Sequence, residues 1–129
     1  MEIDILGIDL AKRIFQLHGS DKRGHALHRS KVARPALLEV VRQLRPKMIA
    51  MEACSSAHHW ARQFQELGIE VKLISPHYVK PFVKTNKNDR NDAEAIVEAA
   101  CRPSMNFVPV KSVEQQDIQA VHRIRELLI

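Results

Sequence analysis

An α/β domain with a mixed central sheet flanked by helices is the fold class that this sequence predicts, and three features predict it. The first quarter carries short apolar runs separated by a turn cluster, which is the pattern of an antiparallel meander. From about residue 34 onward, short apolar runs alternate with segments of helical periodicity, which favours parallel pairing of the later strands. Proline or glycine punctuates most junctions.

Ile3, Ile5, Leu6 and Ile8 form a run ending at Gly7-Ile8-Asp9, a buried strand. Phe15 and Leu17 alternate in the next strand, which closes at the turn cluster Gly19-Ser20-Asp21-Lys22-Arg23-Gly24. Gly24 to about Val32 returns as a third strand. Arg34-Pro35 opens a helix with Leu37, Leu38, Val41 and Leu44 on one face, and Pro46 stops it. Lys47-Met48-Ile49-Ala50-Met51-Glu52 is a central strand that ends on a carboxylate. Ser55 or Ser56 is expected to cap the following helix, whose stripe is Trp60, Phe64 and Leu67 and which ends at Gly68. Ile69, Val71, Leu73 and Ile74 make the next strand, closed by Ser75-Pro76.

The segment from His77 to Val83 carries a proline inside it and another just before it, and reads as irregular or a short helix. A helix then runs to about Cys101 and stops at Arg102-Pro103, and Phe107-Val108-Pro109-Val110 reads as an extended connector. Ser112-Val113-Glu114-Gln115 matches a capping box. The helix it opens carries Ile118, Val121, Ile124 and Leu128 to the last residue without a cap, so a truncated C-terminal helix is expected. The element order is therefore β-β-β-α-β-α-β-α plus that helix, with residues 1–111 as one domain and 112–129 as the start of a following helical segment. Apolar residues on that last helix are expected to drive self-association into a homo-oligomer.

A chain of 129 residues is long enough for one domain with a real core. No apolar run approaches the roughly 18–20 residues of a membrane span. The N-terminus lacks the basic region and cleavage site of a signal peptide, so a cytoplasmic location and no membrane partner are expected. Its 2 cysteines, Cys54 and Cys101, do not suggest a secreted disulfide framework. Net charge is +5, which favours a polyanionic partner such as DNA.

The chemistry concentrates in Lys84-Thr85-Asn86-Lys87-Asn88-Asp89-Arg90-Asn91-Asp92. Asp89 and Asp92, spaced D-x-x-D, share one face at a helix start. Asp9 ends the first strand and Glu52 the fourth, and acids at adjacent strand ends converge if those strands are neighbours. Carboxylates packed together repel unless a cation neutralises them, and hard oxygen donors favour Mg²⁺ or Mn²⁺ over zinc. The competing reading makes each acid a cap or turn residue: Asp89 and Asp92 for their own helix, Glu52 for the next, Asp9 for a turn. Their joint placement favours the metal site. Lys12, Lys84, Lys87 and Arg90 are candidates for phosphate contacts, with a solvated basic loop as the alternative.

Zinc is disfavoured, because Cys54, His58, His59 and Cys101 do not fit paired-ligand spacing; Cys54 is expected to be a small buried side chain behind Glu52. A phosphate loop at Gly7-Ile8-Asp9-Leu10-Ala11-Lys12 is rejected, since Leu10-Ala11 supplies neither glycine nor hydroxyl.

The strings Gly7-Ile8-Asp9, Met51-Glu52-Ala53-Cys54 and Lys84 to Asp92 resemble the D-E-D-D signature of DEDD-type insertion-sequence transposases, a group that includes the Piv invertase. Ala57-His58-His59-Trp60-Ala61-Arg62, Phe107-Val108-Pro109-Val110-Lys111 and His122-Arg123-Ile124-Arg125 are similar to the family's sequence around those motifs. The resemblance implies an RNase H-like, RuvC-like fold, with Asp9, Glu52, Asp89 and Asp92 as metal ligands for cleavage and transfer of DNA. It also implies a C-terminal transposase domain that supplies a serine nucleophile, absent from these residues, and an element-encoded guide RNA. Rival expectations are a RuvC-like junction endonuclease and a non-catalytic nucleic-acid-binding or assembly module.

Overall fold

The structure, a computed structural model, describes residues 2–10, 13–83 and 89–118, with the backbone alone for 89–91. A meander comes first: β1 (Ile5–Asp9), β2 (Ile14–Ser20) and β3 (Ala26–Ala33). The turn between β2 and β3 is set by Asp21, whose Oδ1 accepts from the backbone N–H of Arg23 at 2.8 Å and of His25 at 3.0 Å. Gly24 completes it at φ +86°, a conformation that a side chain would resist. A 3-10 turn at Arg34–Ala36 leads into α1 (Leu37–Leu44), then β4 (Met48–Glu52), α2 (Ser55–Glu66) and β5 (Glu70–Ile74). The segment expected to be irregular or a short helix forms α3 (Pro76–Val79) and a 3-10 turn at Lys80–Phe82. The long helix α4 (Asp89–Ala100) and the short strand β6 (Phe107–Val108) follow, and residues 113–118 are helical.

The sheet has 6 strands in the order β3-β2-β1-β4-β5-β6. β1 lies between antiparallel β2 and parallel β4, with Ile8 beside Met51. β4 and β5 are also parallel, so the meander adds antiparallel strands to a parallel centre, as expected. Among the described residues, no helix is long and apolar enough to cross a membrane.

Side chains alternate across the sheet and divide the core between two faces. Leu6, Ile8, Phe15, Leu17, Ile49, Met51 and Leu73 point to the face covered by α1 and α2, where they meet Leu37, Val41, Trp60 and Phe64. Trp60 stacks on Phe64 at 6.0 Å and meets the edge of Phe15 at 5.8 Å, so the predicted stripe is core. Full burial of a side chain such as Phe64 contributes about 1.5–3 kcal/mol. The opposite face holds Ala50 and Ile74 against Val79, Ala95, Ile96 and Ala99 of α3 and α4.

Sequence expectation and structure differ at three places. The predicted connector at Phe107-Val108 is a sheet edge: Phe107 pairs with Ile74 and Val108 with Leu73, and Lys72 Nζ sits 5.1 Å from the Phe107 ring centre. Pro109 then ends the pairing, having no N–H to give. Neither Ser55 nor Ser56 caps α2; the N-cap is Cys54, in extended conformation and without a side-chain bond to the helix. Cys54 is also exposed rather than buried behind Glu52, its Sγ lying 3.3 Å from Ser56 Oγ. The strand ends at Glu52, and the chain turns outward before α2 begins. The capping box, by contrast, forms as read: Ser112 Oγ accepts from Gln115 N–H at 3.1 Å, and Gln115 Oε1 from Ser112 N–H at 2.9 Å. Val121, Ile124 and Leu128 lie outside the described residues.

Candidate metal and nucleic-acid site

β1 presents Ile5, Gly7 and Asp9 to one face, because alternate residues of a strand point the same way. That face is the one under α4, since a Cβ placed on Gly7 would lie 2.6 Å from Val97 Cγ2 and 2.7 Å from the Ala93 carbonyl oxygen. On β4, Ala50 packs in the α4-side cluster, so Glu52, two residues on, faces the same side. β1 and β4 run in parallel as far as Ile8 beside Met51, and Asp9 and Glu52 are the next and last residues of the two strands. Asp92 comes from the first turns of α4, which packs across β1, β2 and β4.

All three carboxylates are half-buried. Burial, and then the negative charge of Asp92, push the Glu52 carboxyl above its ordinary value. Two acids on different elements, a strand end and a helix start, thus feel one another. This is the electrostatic signature of a site that a cation would relieve, and carboxylate oxygens are the donors that Mg²⁺ or Mn²⁺ takes. The donor set therefore fits such an ion. Among the described residues, however, no group of three or more His, Cys, Asp and Glu side chains is gathered closely enough to hold one.

The fourth acid, Asp89, begins α4, and its side chain lies outside the described residues, as does that of Arg90. Lys12, Lys84 and Lys87 lie outside them altogether. The former zinc candidates are committed elsewhere or apart: His58 Nδ1 accepts the Lys111 N–H at 3.0 Å, and Cys54 and Cys101 are exposed near the ends of different helices.

One cluster escaped the reading of the sequence. Arg62 donates to the carbonyl oxygen of Lys111 and, at 2.9 Å, to Gln116 Oε1. Gln116 Nε2 donates to the Ser55 carbonyl oxygen at 3.1 Å. With His58, these bonds clamp the segment after β6 onto the start of α2, just beyond Glu52. The strings containing His58, Arg62 and Lys111 had stood out in the sequence, but their mutual contact is a tertiary fact.

A six-stranded mixed sheet with a carboxylate at the ends of its central strands and a helix carrying another across them defines an RNase H-like, RuvC-like domain. Two solved RuvC structures share the fold. T. thermophilus RuvC in complex with Holliday junction substrate superposes with a TM-score of 0.59 at 18% identity, over 84% of this chain and 100% of that one. A second Thermus thermophilus RuvC structure gives 0.56 at 17% identity, over 81% of this chain and 99% of that one. The chain belongs to the IS110-type DEDD transposase family, whose model, described as a transposase, matches residues 6–129. A probable family 20 transposase of Pseudomonas aeruginosa is 53% identical over the whole of this chain, which spans 38% of that protein. The transposase for insertion sequence element IS1111A of Coxiella burnetii is 52% identical over 99% of this chain and 35% of its own length. The chain thus spans little more than a third of these relatives.

Proposed function

We propose that this chain is the part of a DNA transposase that binds divalent metal and handles the phosphodiester, with Asp9, Glu52, Asp89 and Asp92 as the ligands. The observation that carries the reading is that Asp9 and Glu52 end neighbouring parallel strands under the helix that carries Asp92, with the Glu52 carboxyl raised by burial and then by the charge of Asp92. A bound Mg²⁺ or Mn²⁺ supplies charge neutralisation for the attacking and leaving oxygens of phosphoryl transfer. The residues of the chain do the rest: β1 and β4 end on Asp9 and Glu52, Asp92 comes from α4, and this reading adds Asp89 from the start of the same helix. Lys84, Lys87, Arg90 and Lys12 are the phosphate contacts that this reading assigns beside the acids. Family resemblance adds a guide RNA and a second transposase domain with the nucleophilic serine, and the apolar pattern of the last helix in the sequence adds a homo-oligomer; residues 1–111 are then the unit that carries the metal.

Titration of the chain with Mn²⁺, followed by calorimetry, tests the assignment. Wild type is expected to bind, and Asp9→Ala and Asp92→Ala to bind at least tenfold more weakly, the order found when groups supporting a metal site are removed. Equal affinity in all three proteins would overturn it.

A further inference from the structure

The α4-side face continues past Asp9 toward the β3 edge in a single row. Asp9 is registered with Gln16 on β2, and Gln16 with Lys31 on β3; one step further, His18 is registered with Arg29. Gln16 is 3% exposed, although an amide at that depth would ordinarily be replaced by an apolar side chain. It lines a groove of about 130 Å³ with His18, Arg29, Ser30 and Lys31. Arg29 and Lys31 are exposed, and neither makes an ion pair among the described residues, whereas Lys47 and Lys72 do. Arg13 and Arg34, joined by a backbone bond of 3.0 Å, add exposed cations at the end of β2 and β3 that lies level with Asp9. A larger groove, about 340 Å³, lies by the β2–β3 turn and mixes Glu94 and Glu98 with Lys22, Arg23 and Arg102, so its charge is compensated.

We propose that the groove of Gln16, Arg29 and Lys31 is a phosphate subsite for the backbone of the DNA strand whose phosphodiester lies at the carboxylates. The inference rests on the function proposed above. Strands are about 4.8 Å apart, which puts Lys31 roughly 10 Å from Asp9 along the row. That is a span that neighbouring phosphates along one DNA strand can bridge. Lys31 and Arg29 supply the positive charge, and the amide of Gln16 supplies a neutral donor where the row passes from cations to acids. DNA rather than RNA is the occupant because the row leads from the acids that act on the DNA phosphodiester. The same row accounts for a basic, charged edge strand, which also discourages edge-to-edge pairing.

Anisotropy of a labelled single-stranded DNA oligonucleotide, measured across a salt series, tests the subsite. The double variant Arg29→Gln, Lys31→Gln is expected to bind more weakly and to lose about 0.7 per contact from the slope of log K against log salt. Arg42→Gln removes an exposed cation of α1 that already pairs with Glu39 at 3.4 Å, and is expected to leave the slope unchanged. Mn²⁺ binding by the double variant is expected to match wild type. An unchanged slope in the double variant, an equal loss in Arg42→Gln, or wild-type protein that binds no DNA would each overturn the subsite. A loss seen with an RNA oligonucleotide and not with DNA would overturn the choice of DNA. The two readings fail separately: intact metal binding with an unchanged slope sinks the subsite alone, and a lost slope beside acids that bind no metal sinks the metal site alone.

Discussion

Burial raises the carboxyl of Glu52 at the end of β4, and Asp92, on the first turn of α4, raises it further. A carboxyl whose folded pKa stands above its unfolded value binds its proton more tightly in the folded protein. Its stabilising effect is therefore complete below the ordinary value of 4.5 and is lost as pH rises through the raised folded value. At neutral pH in the absence of metal, Glu52 is a burden on the fold. Glu52→Gln is expected to raise the Tm at pH 7 and to leave it nearly unchanged at pH 4, each 1 kcal/mol amounting to about 4 °C. Millimolar Mn²⁺ is expected to stabilise wild type more than this variant. Thermal melts with and without metal at both pH values check it, and a lower Tm for Glu52→Gln at pH 7 would refute it.

Gly7 sets how closely α4 can approach the acids. A methyl group there would lie 2.6 Å from Val97 Cγ2 and 2.7 Å from the Ala93 carbonyl, and the second atom is backbone that cannot rotate away. Gly7→Ala is expected to cost about 1–3 kcal/mol by overpacking. The relief available is a shift of α4 away from β1, which carries Asp92 from Glu52 and weakens Mn²⁺ binding. Val97→Ala in the same chain removes only the side-chain half of the conflict, so partial rescue of stability is expected. Denaturant unfolding of the single and double variants measures both effects.

The capping box offers a local test. Ser112 and Gln115 satisfy one another's backbone N–H groups at the start of the helix over 113–118. Ser112→Ala is expected to remove about 0.5–2 kcal/mol from that helix start. Amide exchange should quicken at Gln115 and Gln116 while the exchange of β1 and β4 amides stays as in wild type.

Local patterns of this kind were legible in the sequence. The capping box needs only residues three apart, and the apolar runs ending in Asp9 and Glu52 needed only their own strands. That Asp9 and Glu52 end neighbouring strands was legible only conditionally, because it depends on β4 choosing β1 as its neighbour across the intervening β2, β3 and α1. Gly7 read as part of a strand, and nothing local announced that a helix more than eighty residues later would press on it. Cys54 was misread for the opposite reason: its small apolar character suggested burial, but its place at the turn out of β4 exposes it. Gln16 and His18 alternate with Phe15 and Leu17 along β2 and are buried on its other face, the one on which α4 packs, and nothing local in the sequence announced that polar pair as buried. Asp89 and the lysines of 84–87 lie where the chain passes from β5 to α4, outside the described residues or at their boundary.

His58 holds the segment after β6, and it does so only when neutral. Its Nδ1 accepts the Lys111 N–H at 3.0 Å, which an imidazolium cannot do. Burial, then the charges of Lys111 and Arg62, press its pKa below the ordinary 6.5. A histidine with a lowered folded value takes up its proton more readily when released. Its contribution to the closed state is present above 6.5 and is lost as pH falls through the folded value. Acidification below about pH 6 is therefore expected to loosen residues 110–118 from α2 before the sheet unfolds. Amide exchange at Lys111 should accelerate between pH 7 and pH 5 more than the intrinsic pH dependence of exchange allows. His58→Ala should show the faster rate already at pH 7 and no further excess on acidification. Arg62→Gln removes one of the neighbouring charges and should move the transition to a higher pH than in wild type, though with a weaker hold on Gln116. Exchange at Lys111 that follows the intrinsic rate law throughout would show that His58 does not govern this contact.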